Sequence, residues 1–143
     1  MAYIIGKKVV KDTEDFDAYA YGITFPLRRG NTGYFEQAFT SYEQAKANLK
    51  NLLITKKGER VMQPRFGSGL HRVLFEPMTS EFETKVTEAV TSAVSFWLPY
   101  ITIKDINIDM TDEMKDRNEA YITIQFTVNN DIDLQEITFT LRG

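Results

Sequence analysis

The stretch Ser80–Met110, SEFETKVTEAVTSAVSFWLPYITIKDINIDM, changes its apolar period part-way along and so decides the fold class. Up to Trp97, the residues Phe82, Val86, Ala89, Val90, Ala93, Val94 and Trp97 recur as one face of an α-helix. Ser80 and Glu83 form a capping-box pattern at its start, and Glu81 and Glu83 set acids at the positive end of the helix dipole. Pro99 disfavours helical geometry at Leu98, which predicts that the helix stops there. From Ile101 the period becomes two. Ile101 and Ile103 share one phase, whereas Ile106, Ile108 and Met110 share the other, so a β-bulge near Lys104–Asp105 is expected to reconcile them.

Downstream, Ile122, Ile124, Phe126 and Val128 alternate with Tyr121, Thr123, Gln125 and Thr127. Ile137, Phe139 and Leu141 alternate with Thr138 and Thr140 in the same way. Polar turns at Thr111–Asn118 and Asn129–Asp131 separate these runs, so three strands in an antiparallel meander are predicted. The last strand ends close to the end of the sequence. Such a strand is either a sheet edge or a strand offered to another chain.

Upstream, Thr40–Glu43 is a second capping box, and Tyr42, Ala45, Leu49, Leu52 and Leu53 follow at helical spacing. A helix over about 41–53 is predicted. Gly58, Pro64, Gly67 and Gly69 punctuate the loop after it, and His71–Phe75 reads as one helical turn closed by Pro77. The first forty residues are less regular. Tyr3–Ile5 with Val9–Val10 suggests a short strand, Pro26 limits Tyr19–Leu27 to an edge or extended arm, and Arg28–Gly33 is a break. The expected organisation is an N-terminal arm, 1–39, and one α+β domain, 40–143, with two main helices packed on a small antiparallel β-meander.

Composition sets bounds on function. With 143 residues and 43% hydrophobic content, one domain can bury a core without staples. No cysteine is present, which removes disulfides, thiolate zinc sites and cysteine nucleophiles together. The net charge of −3 gives no sign of a nucleic-acid binder. No signal-peptide h-region or membrane span is expected, which points to a product made and kept inside a cell or built into a particle there. Ten Phe and seven Tyr suit a packed core or a contact surface.

The candidate chemistry is thin. His71 is the only histidine and no H-x-x-x-H pattern accompanies it, so it reads as a packing residue and no metal site is expected. Among Glu76, Glu81, Glu83 and Glu88, only Glu76, between Phe75 and Pro77, is placed for a raised pKa, and a two-carboxylate glycosidase site is poorly motivated. Lys56–Gly58 lacks the rest of a phosphate loop, and no cofactor is expected. Arg60 and Arg65, with Lys56, Lys57 and Arg72, form either a solvated face or a patch for an acidic protein groove. Trp97 continues the helical stripe. Leu98, Pro99 and Tyr100 fall off it and are candidates for a partner contact.

The order of Leu53, Thr55, Gly58, Arg60, Pro64, Phe66, Gly67, Leu70, Leu74, Phe75 and Met78, then Val86, Ala89, Val90, Pro99 and Ile101, resembles one family. It is similar to the baseplate wedge and sheath-initiator proteins of contractile phage tails, which are related to a type VI secretion baseplate component. The likeness runs from about residue 46 to 143. It implies a structural, non-enzymatic role in a virion tail baseplate, made in the host cytoplasm. The implied partners are other wedge proteins in a helical bundle, the tail sheath protein, and tail tube or hub proteins, with no nucleic acid or membrane. It also implies that the C-terminal strand, with Ile137, Phe139 and Leu141, pairs with sheath strands. The family typically has Glu-Pro-Arg where this sequence has Leu98-Pro99-Tyr100, so a partner here would meet an apolar and aromatic contact. A tail-lysozyme label attached to the family, with Glu76 as its acid, and the equivalent subunit of a secretion or injection machine are the alternatives.

Overall fold

The computed structural model describes residues 20–30, 34–73, 80–109, 111, 119–129 and 132–142. The element order is β1 (Gly22–Ile23), β2 (Gln37–Ala38), α1 (Ser41–Ile54), α2 (Leu70–Val73), α3 (Ser80–Trp97), β3 (Ile101–Asp109), β4 (Glu119–Val128) and β5 (Gln135–Arg142). β1 and β2 form a two-stranded antiparallel ribbon, and β3-β4-β5 form a three-stranded antiparallel sheet in that order. The class is α+β.

By contacts the chain divides into two units, Met1–Asn48 and Leu49–Gly143, with the boundary inside α1. In the first, Gly22 pairs with Ala38 and Ile23 with Gln37, and Thr24 N–H donates to the Glu36 carbonyl at 3.0 Å. The expected strand at Tyr3–Val10 lies outside the described residues. The capping box at the start of α1 forms in both directions. Glu43 N–H donates to Thr40 Oγ1 at 3.2 Å, and Glu43 Oε2 accepts from the Thr40 and Phe39 N–H groups at 3.3 and 2.9 Å. These bonds occupy donors that the first helical turn leaves unpaired. The second capping pattern involves the Ser80 side chain, which is outside the described part.

The second unit holds the main core. The stripe of α3 buries Phe82, Val86, Val90, Ala93 and Val94, while Glu81, Glu83 and Glu88 are exposed on its other sides. α3 packs against α2 and β3. The Leu98 N–H still bonds the Val94 carbonyl at 2.8 Å, and Ile101 N–H bonds the Leu98 carbonyl at 2.9 Å. The chain therefore turns directly from helix into strand around Pro99, as its sequence predicts.

The bulge in β3 falls where the phase of the isoleucines changes. Ile103 pairs with Phe126, but Asp105, not Lys104, pairs with Gln125, so Lys104 is the extra residue. Its insertion returns all four isoleucines to one face. Ile101, Ile103, Ile106 and Ile108 stand opposite Val128, Phe126, Ile124 and Ile122 of β4. β5 then sets Ile137 and Phe139 opposite Ile124 and Ile122. Phe126, Ile122 and Ile124 are fully buried, a state worth about 1.5–3 kcal/mol per side chain. On the outer face Thr123 Oγ1 and Thr138 Oγ1 share a hydrogen bond of 3.3 Å, and Gln125 Nε2 donates to Glu136 at 3.5 Å.

The predicted helical turn at His71–Phe75 is α2, which begins one residue earlier; Leu74–Thr79, including Glu76, lie outside the described residues.

Candidate partner-binding site

The loop from Thr55 to Gly69 closes the C-terminal end of α1 with its own side chains. Thr55 Oγ1 donates to the Asn51 carbonyl at 2.6 Å, and Ser68 Oγ donates to the Leu53 carbonyl at 2.8 Å. His71 Nε2 lies 3.2 Å from the Ile54 carbonyl. The Leu53 and Ile54 carbonyls, among those that a helix leaves unpaired at its end, are thus occupied, and the Asn51 carbonyl takes the Thr55 hydroxyl besides the Thr55 N–H. The lone histidine is accounted for as a helix-end partner.

The glycines decide the shape of this loop. Gly67 has φ +118°, and a Cβ there would strike the Thr55 carbonyl oxygen, so neither the backbone angle nor the space admits a side chain. Gly58 has φ +93° but faces open space, so only its angle matters. Its N–H donates to the Pro64 carbonyl at 2.8 Å, which pinches the loop at its neck. Glu59 Oε2 accepts from Lys56 N–H at 2.9 Å, and Lys56 and Ser68 form a single parallel bridge.

Arg60 belongs to this framework as much as to the surface. Its guanidinium sits 3.8 Å from the centre of the Phe66 ring and donates to Asn51 Oδ1 at 3.3 Å. Phe66 meets Trp97 edge-on at 5.1 Å, and Trp97 meets Phe96 edge-on at 5.0 Å. Loop and helix end are thereby joined by a row of rings. Arg65 is exposed beside them.

The three residues expected at a partner contact, Leu98, Pro99 and Tyr100, differ in exposure. Leu98 is 8% exposed, so its side chain is covered within this chain and is not the surface group it was expected to be. Its N–H still makes the helical bond to the Val94 carbonyl, so Leu98 lies four residues on from Val94 and shares that buried face. Pro99 is exposed, Tyr100 is half-buried, and the Tyr100 carbonyl accepts from Asn129 N–H at 2.8 Å. The large exposed side chain at this corner is Phe96, at 72%. Val61 and Met62, at the outer end of the loop, are 93% and 92% exposed. Sequence reasoning passed over all three. The available signals were an aromatic off the helical stripe and two adjacent apolar residues between turn formers. Ile137 and Phe139 are buried on the core face, so any part they take in a contact through β5 is by backbone; Leu141 pairs with Ala120.

The two outer strands of the sheet differ. β3 carries the bulge at Lys104, exposes Lys104, Asp105 and Asp109, and has α3 packed against it. β5 pairs with β4 through eight successive residues without a skip, from Gln135 to Arg142, and exposes Glu136, Thr138 and Thr140. Bulges and charges are the usual devices that discourage strand addition at an edge. β3 has both.

A family model for baseplate wedge protein gp25 matches residues 41–132, well over half of the chain. The chain belongs to this family. As a gp25-family protein it is a structural component of a contractile-tail baseplate. Among solved structures, it is similar to a chain of the anti-feeding prophage baseplate, at 23% identity and TM-score 0.63 over 78% of this chain and 86% of that one. It is also similar to a Geobacter sulfurreducens protein provisionally assigned as a tail lysozyme, at 23% identity and TM-score 0.60 over 72% and 92% of the two chains. A chain of the pyocin R2 baseplate after contraction aligns at 17% identity and TM-score 0.51 over 82% and 96%. At these identities the likenesses establish a shared fold. No curated protein matches the chain.

For the gp25 family member described here, the residues carrying the resemblance have visible jobs. Thr55 helps close α1, Gly58 and Gly67 admit the loop's angles, and Arg60 lies over the ring of Phe66. Among the described residues no group of three or more His, Asp or Glu is arranged to hold a metal ion, and no helix is long and apolar enough to cross a membrane.

Proposed function

We propose that this baseplate component initiates the tail sheath by strand addition at the outer edge of β5. The observation that carries the reading is the inequality of the two sheet edges. β3 is interrupted and charged, whereas β5 offers a regular strand. A sheath strand laid along β5 would gain backbone hydrogen bonds at about 0.5–1.5 kcal/mol each, with little demand on its side-chain sequence. The first sheath ring formed in this way is a template for the next. The similarity to chains of contractile baseplates supports this setting, within the tail baseplate of a particle assembled in the host cytoplasm. Neighbouring wedge proteins join at the corner between α3 and β3, and residues 1–39 serve as the arm.

The test is sheath polymerisation on isolated baseplates. Removing Asp133–Gly143 is expected to abolish sheath growth, but it also strips Ile137 and Phe139 from the core. Thr138→Lys with Thr140→Lys isolates the edge, because both positions are exposed. Baseplates with the paired lysines should form normally and carry no sheath. Sheaths of normal length on those baseplates would refute strand addition at β5.

A further inference from the structure

Phe66, Trp97 and Phe96 form a row of rings where the loop meets the end of α3, and Val61 and Met62, in the same loop as Phe66, are almost fully exposed. Val61 and Met62 are the two large apolar side chains of this loop that stand fully outside it, and nothing in the loop's own geometry needs them there. The turn is held by the Gly58 N–H to Pro64 carbonyl bond, by Gln63 N–H to the Arg60 carbonyl, and by Phe66 N–H to the Gln63 carbonyl. Val61 and Met62 take no part in those bonds. Methionine and aromatic side chains are enriched where proteins meet.

The charge around them is inverted relative to the rest of the chain. The loop carries Lys56, Lys57, Arg60 and Arg65 against one acid, Glu59, in a chain of net charge −3. Glu59 is already engaged by the Lys56 N–H, and Arg60 by Phe66 and Asn51. Lys56, Lys57 and Arg65 are exposed in the same loop as Val61 and Met62. An apolar centre with a cationic rim is complementary to a partner surface with apolar anchors among carboxylates.

We infer that Val61, Met62 and Phe96, rimmed by Lys57 and Arg65, form the docking surface for an acidic, apolar-anchored segment of a neighbouring baseplate protein. This inference rests on the baseplate reading above and names the chemistry of the partner at the α3–β3 corner. It moves that contact from Leu98, which is buried, to the loop and Phe96. Met62 and Phe96 supply the burial, and the cations select the partner.

Because the chain contains no cysteine, Met62→Cys provides a single thiol for a photo-crosslinker in whole baseplates. The expected crosslink falls on one neighbouring protein, within a segment where Asp or Glu flanks apolar residues. Arg65→Glu should then reduce retention of that neighbour at least tenfold, and reversing the charge of the crosslinked acid should restore it. A crosslink to a segment without acids would overturn the inference. So would full retention with Arg65→Glu, or binding of the isolated chain to anionic phospholipid vesicles in place of a protein. Baseplates with the β5 lysines are the control. They should lose the sheath and keep the Met62 crosslink, so failure of one surface is read separately from failure of the other. A chain missing from every baseplate would overturn both.

Discussion

The loop Thr55–Gly69 and the sheet β3-β4-β5 are held by opposite means. In the loop, single residues do single jobs: Ser68 bonds the Leu53 carbonyl, Thr55 bonds the Asn51 carbonyl, and Gly67 leaves room for the Thr55 carbonyl. In the sheet, the same job is repeated by many equivalent residues, with four isoleucines of β3 facing four apolar residues of β4. Repetition makes the sheet tolerant of changes on its outer face, where the pattern is all that matters. The loop has no such redundancy.

The sharpest way to test that contrast is to set one ring against one methyl group. Phe126→Ala empties a fully buried site in β4 and is expected to cost about 3–5 kcal/mol, measured as a shift in the denaturant midpoint. Gly67→Ala adds a single methyl, yet it meets both a positive φ and a carbonyl oxygen. About 2–3 kcal/mol is expected, against about 1 kcal/mol for Gly58→Ala, where only the angle is wrong. If the two glycine variants were equally stable, the close approach at Thr55 would be relieved easily and the loop would not be as tight as described. The smallest effect distinguishes the two regions by hydroxyl. Ser68→Ala leaves the Leu53 carbonyl without its buried partner and should cost about 1–2 kcal/mol. Thr123→Ala loses a hydroxyl pair on the sheet's outer face and should change stability by less than about 1 kcal/mol. Equal losses would erase the distinction.

The same contrast explains what could be read in the sequence. Periodic features were legible: the α3 stripe, its stop before Pro99, the strands, and even the bulge, because a phase change among isoleucines admits few other solutions. The capping box at Thr40–Glu43 was legible because both partners lie in one short stretch. Bonds between residues far apart in sequence were not. Nothing in a sequence announces that Ser68 reaches Leu53, that Arg60 lies over Phe66, or that Leu98 folds inward while Phe96 stays out. Partner surfaces suffer most, since they are defined by what the fold leaves uncovered. Phe96 and Met62 became visible only after the core had been filled.

The β4–β5 ladder has a mechanical consequence. Its eight residue pairs run without interruption, with their hydrogen bonds across the strand direction. A pull along β5 loads those pairs together, in shear, whereas a pull at right angles would break them one after another like a zip. At the other end of β4, the bond from Asn129 N–H to the Tyr100 carbonyl passes the load to the turn that ends α3. A strand attached along β5 would therefore tug on the end of α3 by way of β4 and this bond.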